Sequence, residues 1–261
     1  MSPQRPRRRR LDQRLVDEGL AVDLREAAGL VLAGRVMVGE EKIDKAGAQV
    51  AADRPLRLVG GRGHGYVSRG GVKLAGALDA LGLDVSGLRC VDVGASTGGF
   101  TDCLLGRGAA AVAAVDVGHG LLADRLRRDE RVIVMERTHA RELRPEGLPW
   151  LAELVTVDVS FIGLAALLPA LTTIVTDTGR ILAMVKPQFE AGRGEVEPGG
   201  VVRDAAIRRR VVDEVAEVGR SLGWRVEGES ESTLPGPKGN IEVFLLLAPP
   251  ALSTTSTGEA P

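Results

Sequence analysis

Aromatic side chains make up only 3% of the 261 residues, so the interior must be filled by Ala, Val and Leu rather than by stacked rings. Cysteine is as scarce. Cys90 and Cys103 stand alone, with no neighbouring Cys or His cluster, which excludes a disulfide framework and a thiolate metal site. Both are expected to be buried thiols in a reducing cytoplasm. A long apolar run is missing too. The longest, Phe161 to Val175, is broken by Pro169 and several threonines, whereas a membrane span needs roughly 20 apolar residues. No apolar stretch follows the charges of Met1-Ser-Pro-Gln-Arg-Pro-Arg-Arg-Arg-Arg10, so the start is not read as a secretory signal. What is present is 44% hydrophobic residues with a mean hydropathy of +0.05, enough for one large domain or a large and a small one. The net charge of −1 conceals a basic start and an acidic second half, which suggests an anionic partner at one end.

The chain is organised around Arg89-Cys-Val-Asp-Val-Gly-Ala-Ser-Thr-Gly-Gly-Phe-Thr-Asp-Cys-Leu-Leu105. Cys90 to Val93 reads as a strand buried on both faces. Gly94, Gly98 and Gly99 allow a sharp turn and close backbone approach to a ligand. Apolar residues then resume at Phe100, Leu104 and Leu105, so a helix opens there with free N–H groups aimed into the loop. Strand, glycine turn and helix form the nucleotide-binding corner of a doubly wound sheet. A nicotinamide fingerprint would read G-x-G-x-x-G, but here the last two glycines are adjacent. That spacing suits a ligand without a pyrophosphate. A second small apolar strand, Ala111 to Val115, ends in Asp116, placed to accept hydrogen bonds from ribose hydroxyls. The cofactor reading is therefore S-adenosylmethionine.

Ahead of this core, residues 1–9 read as a basic arm without order, either a solvated tail or a phosphate-binding arm. Leu11, Leu15 and Val16 begin a short helix. Asp23 with Glu26 forms a capping box for a second helix that Gly34 ends. Short strands are expected at Val36 to Val38, around Lys42-Ile43 and at Leu56 to Val59. Arg10, Arg14, Arg25 and Arg35 are left for the outer surface. The stretches Arg10-Leu-Asp-Gln-Arg-Leu-Val-Asp-Glu-Gly-Leu20, Arg25-Glu-Ala and Gly34-Arg-Val-Met-Val-Gly39 resemble the S4 RNA-binding domain. That resemblance implies an RNA-binding module over residues 10–59 in which basic side chains on the helices meet structured RNA.

A glycine-rich linker at 60–67 leads to Ser68, which can cap a helix running to Leu81 with Leu74, Leu78 and Leu81 on its buried stripe. Lys73 lies near the first turn, off that stripe, where it opposes the helix dipole. Further strands are expected at Val132 to Met135, Leu154 to Val159 and Ile181 to Val185, with helices between them. Asp158 and Lys186 fall at strand carboxyl ends, where ligands bind in such sheets. Gln188 to Gly200 reads as a mobile loop, and Asp204 as the cap of a helix carrying Arg208, Arg209 and Arg210. Val226 to Ser230 and Ile241 to Leu247 are the last strands, a hairpin-like pair with Glu242 near the start of the second. A polar tail fills 249–261.

From Ser68-Arg-Gly-Gly-Val-Lys-Leu74 onward the chain resembles 2′-O-ribose RNA methyltransferases of the FtsJ/RrmJ type. The resemblance rests on that segment, on Asp92-Val-Gly-Ala-Ser-Thr-Gly-Gly-Phe-Thr-Asp102, and on Val157-Asp-Val-Ser-Phe161, Val185-Lys-Pro-Gln-Phe-Glu190 and Gly239-Asn-Ile-Glu-Val-Phe244. With the S4-like module in front, it resembles the TlyA family, historically called hemolysins. The resemblance implies a Rossmann-like α/β domain over 68–248 with a seven-stranded, mostly parallel sheet. It also implies a catalytic tetrad of Lys73, Asp158, Lys186 and Glu242. The expected cofactor contacts are Asp92, Gly94, Ser96, Thr97, Gly98, Gly99, Phe100, Asp116, Val117 and Asp158. RNA is expected to meet Arg8, Arg9, Arg10, Arg14, Arg25, Arg35 and Arg69.

The chemistry explains the residue types. A ribose 2′-hydroxyl is a weak acid, and a lysine can take its proton if burial and a second cation favour the neutral amine. Lys186 is the candidate base, Lys73 its cationic neighbour, and the two acids orient them. No metal is required. The implied activity is methylation of cytidine 2′-hydroxyls in 16S and possibly 23S ribosomal RNA within ribosomal subunits, by a cytoplasmic monomer that does not engage membrane. The competing readings are a membrane-lytic hemolysin, weakened by the missing span, and a noncatalytic RNA-binding protein, weakened by the intact tetrad. Two positions depart from the family pattern, His119 where tyrosine is common and His139 where asparagine is expected. Both read as packing residues.

Overall fold

The computed structural model describes residues 8–21, 23–58, 65–192, 194–236 and 238–250. The expected arm at 1–7, most of the linker and the tail from 251 lie outside the described residues. The chain divides into two compact units, Met1–Arg69 and Gly70–Pro261.

In the first unit β1 (Arg8–Arg10) pairs antiparallel with β4 (Gln49–Ala51), and β2 (Val36–Val38) pairs with both β3 (Glu41–Lys42) and β5 (Leu56–Leu58). Helices α1 (Leu11–Asp17) and α2 (Leu24–Leu32) bury Leu11, Leu15, Ala27 and Val31 against Val36, Val38 and Val50. The Asp23 side chain accepts the Glu26 N–H at 2.8 Å, the cap the spacing predicts. Two expectations are corrected. Arg8 and Arg9 belong to a strand rather than a disordered arm. Arg14 is 3% exposed, because its guanidinium donates to Ala51 O at 2.8 Å, to Arg54 O at 3.0 Å and to Glu18. A cation used up in joining a helix to a turn has nothing left for RNA.

The second unit is built on one seven-stranded sheet. Its strands are β6 (Arg89–Val93), β7 (Ala111–Asp116), β8 (Val132–Glu136), β9 (Ala152–Val157), β10 (Val175–Val185), β11 (Arg225–Glu231) and β12 (Val243–Ala248), in the order β11-β12-β10-β9-β6-β7-β8. From β10 to β8 neighbours run parallel, while β12 is antiparallel to both β10 and β11. Strand β10 starts earlier than its apolar stretch suggests, because the polar residues Thr176 to Gly179 extend it through an irregular register at Val175 and Arg180.

Helix α3 (Arg69–Ala80) buries Leu74 and Leu78, and α4 (Gly99–Gly106) buries Leu104 and Leu105. Short helices α5 (Asp124–Arg127), α6 (Leu168–Leu171) and α7 (Pro187–Glu190) follow. The long α8 (Ala205–Ser221) is capped by Asp204, which accepts the Ala206 N–H at 2.7 Å, and buries Val211, Val212 and Val215. No full helix connects β8 to β9; only single turns at Ala140–Glu142 and Pro145–Gly147 stand there. Pro145, Gly147 and Pro149 exclude a longer one. Segment 188–200 carries α7 and a bridge between Glu197 and Val201.

Candidate active site

The parallel strands place their carboxyl ends along one edge, and the singled-out residues of the second unit gather there. At the end of β6 the chain turns through Gly94, whose φ is +86° and whose added Cβ would lie 2.6 Å from Asp158 O. Only glycine lets this turn pass so close to the next strand's end. Ser96 is held at a φ of 49°, and its N–H donates to Asp116 Oδ2 at 2.8 Å. Asp116 Oδ1 accepts the Gly118 N–H at 2.6 Å. An ionised carboxylate has about four acceptor positions, so Asp116 keeps capacity for two further donors while it holds the loop. Thr97 O accepts the Ala123 N–H at 3.2 Å, Gly99 opens α4, and Val117 is 63% exposed.

Three expected cofactor contacts have other roles. Asp92 is 0% exposed. Its carboxylate accepts from Thr101 N at 2.9 Å, Thr101 Oγ1 at 2.7 Å and Thr156 Oγ1 at 3.1 Å, so it pins α4 and β9 to β6 beneath the loop. Burial pushes this carboxyl up to about 7, against the opposing pull of those hydrogen bonds. Phe100 is 3% exposed, its ring 5.9 Å from that of Phe244, which makes it core. A Cβ on Gly98 would meet Leu126 Cδ1 at 2.3 Å and Leu122 Cδ1 at 2.7 Å, so the missing side chain makes room for these leucines.

The four tetrad residues come together as two ion pairs. Lys73, expected off the buried face, is 7% exposed and bonded to Glu242, itself 2% exposed. Lys186 Nζ lies 2.6 Å from Asp158 Oδ1, an ion pair without hydrogen-bond geometry, and donates its hydrogen bond to Ser160 Oγ at 3.0 Å. The antiparallel register of Val185 with Val243 puts Lys186 and Glu242 at the same end of neighbouring strands. Gly76 permits the approach of α3, since a Cβ there would sit 2.3 Å from Thr233 Cγ2.

Sequence reasoning overlooked the aromatic edge of this site. Phe161 is 92% exposed with a φ of +67°, and its ring stands 5.2 Å from that of Phe189, which lies 6.0 Å from Lys186 Nζ. Glu190 fastens the two loops by accepting the Leu164 N–H at 2.8 Å, and burial raises its carboxyl above the usual range. In a chain so poor in aromatics, the repeated placing of Phe just after Asp158 and Lys186 was the available signal. His119 Nδ1 meets Glu136 Oε2 at 2.7 Å and His139 Nδ1 accepts the Arg141 N–H at 3.3 Å, so both histidines shape loops.

A profile of the FtsJ-like methyltransferase family matches residues 66–248. A relative from Mycobacterium tuberculosis, named a 16S/23S rRNA (cytidine-2'-O)-methyltransferase TlyA, is 49% identical over 92% of this chain and 90% of its own length. The chain belongs to the FtsJ-like methyltransferases of the TlyA type. A solved structure from Streptococcus thermophilus that bears a hemolysin name is 39% identical, with a TM-score of 0.72 over 97% of this chain and 93% of that one. The fold alone is shared with a Listeria monocytogenes S-adenosylmethionine-dependent methyltransferase, at 15% identity and a TM-score of 0.50 over 67% of this chain and 98% of that one. This methyltransferase is an enzyme whose methyl donor is S-adenosylmethionine. The turn at Gly94, the exposed Ser96 and the spare acceptor capacity of Asp116 fit that ligand's ribose and main chain. No helix among the described residues is long and apolar enough to cross a membrane.

Proposed function

We propose that this methyltransferase transfers a methyl group to the ribose 2′-hydroxyl of cytidine in ribosomal RNA within ribosomal subunits, in the cytoplasm. The observation that carries the reading is the doubly paired tetrad at the sheet's carboxyl edge: two lysines and two acids, three of the four buried, beside a glycine turn. S-adenosylmethionine, when bound, supplies an electrophilic methyl on a sulfonium. Lys186, once its Nζ has released a proton to solvent and is the neutral amine, would take the proton of the 2′-hydroxyl and so make that oxygen the nucleophile for the methyl that such a sulfonium would supply. Asp158 and Ser160 orient the amine. Lys73 is held by Glu242 and stabilises charge developing on the oxygen. Phe161, exposed against the Phe189 ring that lies near Lys186, offers its face to the target base, a contact worth about 1–3 kcal/mol per stacked base.

The first unit fits an S4-like RNA-binding module. Arg8, Arg9, Arg10 and Arg25 are exposed there, and Arg35 and Arg69 half-buried, although Arg9 pairs with Asp17 and Arg10 with Asp12. RNA would have to compete with those acids. The buried free thiols Cys90 and Cys103 are in keeping with a reducing compartment. The test maps reverse-transcription stops at 2′-O-methyl positions in ribosomal RNA from cells with and without the gene. Stops lost at cytidines on deletion, and restored by the wild type but not by Lys186→Ala, support the reading; an unchanged pattern overturns it.

A further inference from the structure

The arginines of the second unit are not paired alike at the two edges of its sheet. On the strands or directly before them at the edge away from the tetrad, each meets an acid. Arg89 pairs with Glu153 at 3.5 Å, Arg131 with Asp129 at 2.7 Å, and Arg180 and Arg225 with Glu227 at 2.7 and 3.2 Å. At the tetrad's edge Arg127 meets Glu136, but two neighbouring arginines meet no acid among the described residues. Arg137, directly after β8, and Arg141 are exposed and have no acidic partner among the described residues. Glu136 is taken by Arg127 and His119, and Glu142 and Glu146 on the same stretch pair with neither arginine. On the other flank Lys238, in the loop before β12, is likewise exposed and unpaired among the described residues. Its Nζ lies 3.1 Å from where a Cβ on Gly200 would be.

Arg137 is also held in place. Its φ of 56° is a left-handed conformation that non-glycine residues rarely adopt. Its N–H donates to Gly118 O at 3.1 Å, and the next N–H, of Thr138, donates to Asp116 O at 3.0 Å. The strained residue is thus tied to the acid that holds the glycine loop.

We propose that Arg137 and Arg141 on the β8 flank and Lys238 on the β12 flank form an unneutralised cationic rim that binds phosphates of the substrate RNA on both sides of the methylated nucleotide. The rim rests on the RNA reading above. Like charges left unpaired repel one another, and an anion relieves that repulsion. Guanidinium groups match phosphate oxygens in bidentate fashion, whereas lysine meets them as a point charge. From β12 to β8 the sheet crosses five strand spacings, about 24 Å at 4.8 Å each. A strand of RNA several nucleotides long therefore passes both flanks while one ribose reaches Lys186.

The test compares the Arg137→Ala/Arg141→Ala and Lys238→Ala variants with an Arg131→Ala/Arg225→Ala control. The control removes as much charge as the double variant, but from the opposite edge. For each, the KM for ribosomal subunits, the slope of log affinity against log salt and the S-adenosylmethionine affinity are measured in the full chain. Every phosphate of a single RNA strand that a variant no longer neutralises should lower the salt slope by about 0.7. The rim variants should therefore have shallower slopes and a KM raised several-fold, with cofactor affinity unchanged. Arg137→Lys/Arg141→Lys should recover most of the slope. Equal shifts in rim and control variants would reduce the effect to net charge and overturn the rim, as would weakened cofactor binding in the rim variants. A wild-type enzyme that methylates no ribosomal RNA would bring down the RNA reading itself, and that failure is visible before any variant is made.

Discussion

Lys73 and Glu242 are both out of water, so neither tolerates the loss of the other. Breaking a buried pair by removing one member costs about 3–5 kcal/mol. Lys73→Ala should therefore lower the melting temperature as well as the methylation rate, and the double variant Lys73→Met/Glu242→Leu should recover the melting temperature but not the rate. Lys186 is different, because Asp158 beside it is partly open to solvent. General-base contributions run about 100- to 10,000-fold, so single-turnover methylation by Lys186→Ala should fall at least 100-fold with cofactor affinity preserved. A near-normal rate would remove the base assignment.

Asp92 adds a pH effect. Its folded-state carboxyl is raised from 3.8 to about 7, so between those values the folded protein holds a proton that the unfolded chain has released. Stability contributed by that proton is complete below about pH 4 and is lost as pH rises toward 7. Urea unfolding should show this decline, and Asp92→Asn should flatten it. A wild-type profile that rises through the same window would contradict the burial argument.

At the scale of elements, two glycine positions constrain how strands and helices pack. The β6 turn and the end of β9 approach so closely at Gly94 that Gly94→Ala must displace Asp158. Its expected phenotype is a lost methylation rate and weakened cofactor binding, read by calorimetry, with the sheet intact by circular dichroism. Gly98→Val acts elsewhere. Its side chain would enter the space of Leu122 and Leu126, and overpacking of this kind costs about 1–3 kcal/mol. A lowered melting temperature, rather than a selective loss of cofactor binding, should follow.

The whole molecule separates into a small basic-faced unit and the methyltransferase unit, each with its own core. A chain starting at residue 65 retains the segment that matches the FtsJ-like profile. It should still bind S-adenosylmethionine while losing most of its salt-dependent affinity for ribosomal subunits. Full methylation of subunits by that shorter chain would deny the first unit its proposed part in RNA binding.

In the sequence by itself, the strands of the second unit and the glycine turn were legible in the residues, whereas the four tetrad positions came from the resemblance to FtsJ/RrmJ-type methyltransferases. The strands and the turn depend on local signals, apolar runs and glycines where φ turns positive, and only Asp158 and Lys186 of the tetrad stand directly after strands. The sequence was least legible where a polar side chain is buried by partners far along the chain. Arg14, Asp92 and Lys73 each carry a surface-like residue type, and partners as far as 40, 64 and 169 residues away help to take them out of solvent. The pairing of Lys73 with Glu242 and of Lys186 with Asp158, the exposure of Phe161 and the lack of an acidic partner for Arg137 and Arg141 among the described residues all follow from the folded arrangement. A charge is neutralised or left free by what the fold brings within a few ångströms of it, and no spacing along the chain records that distance.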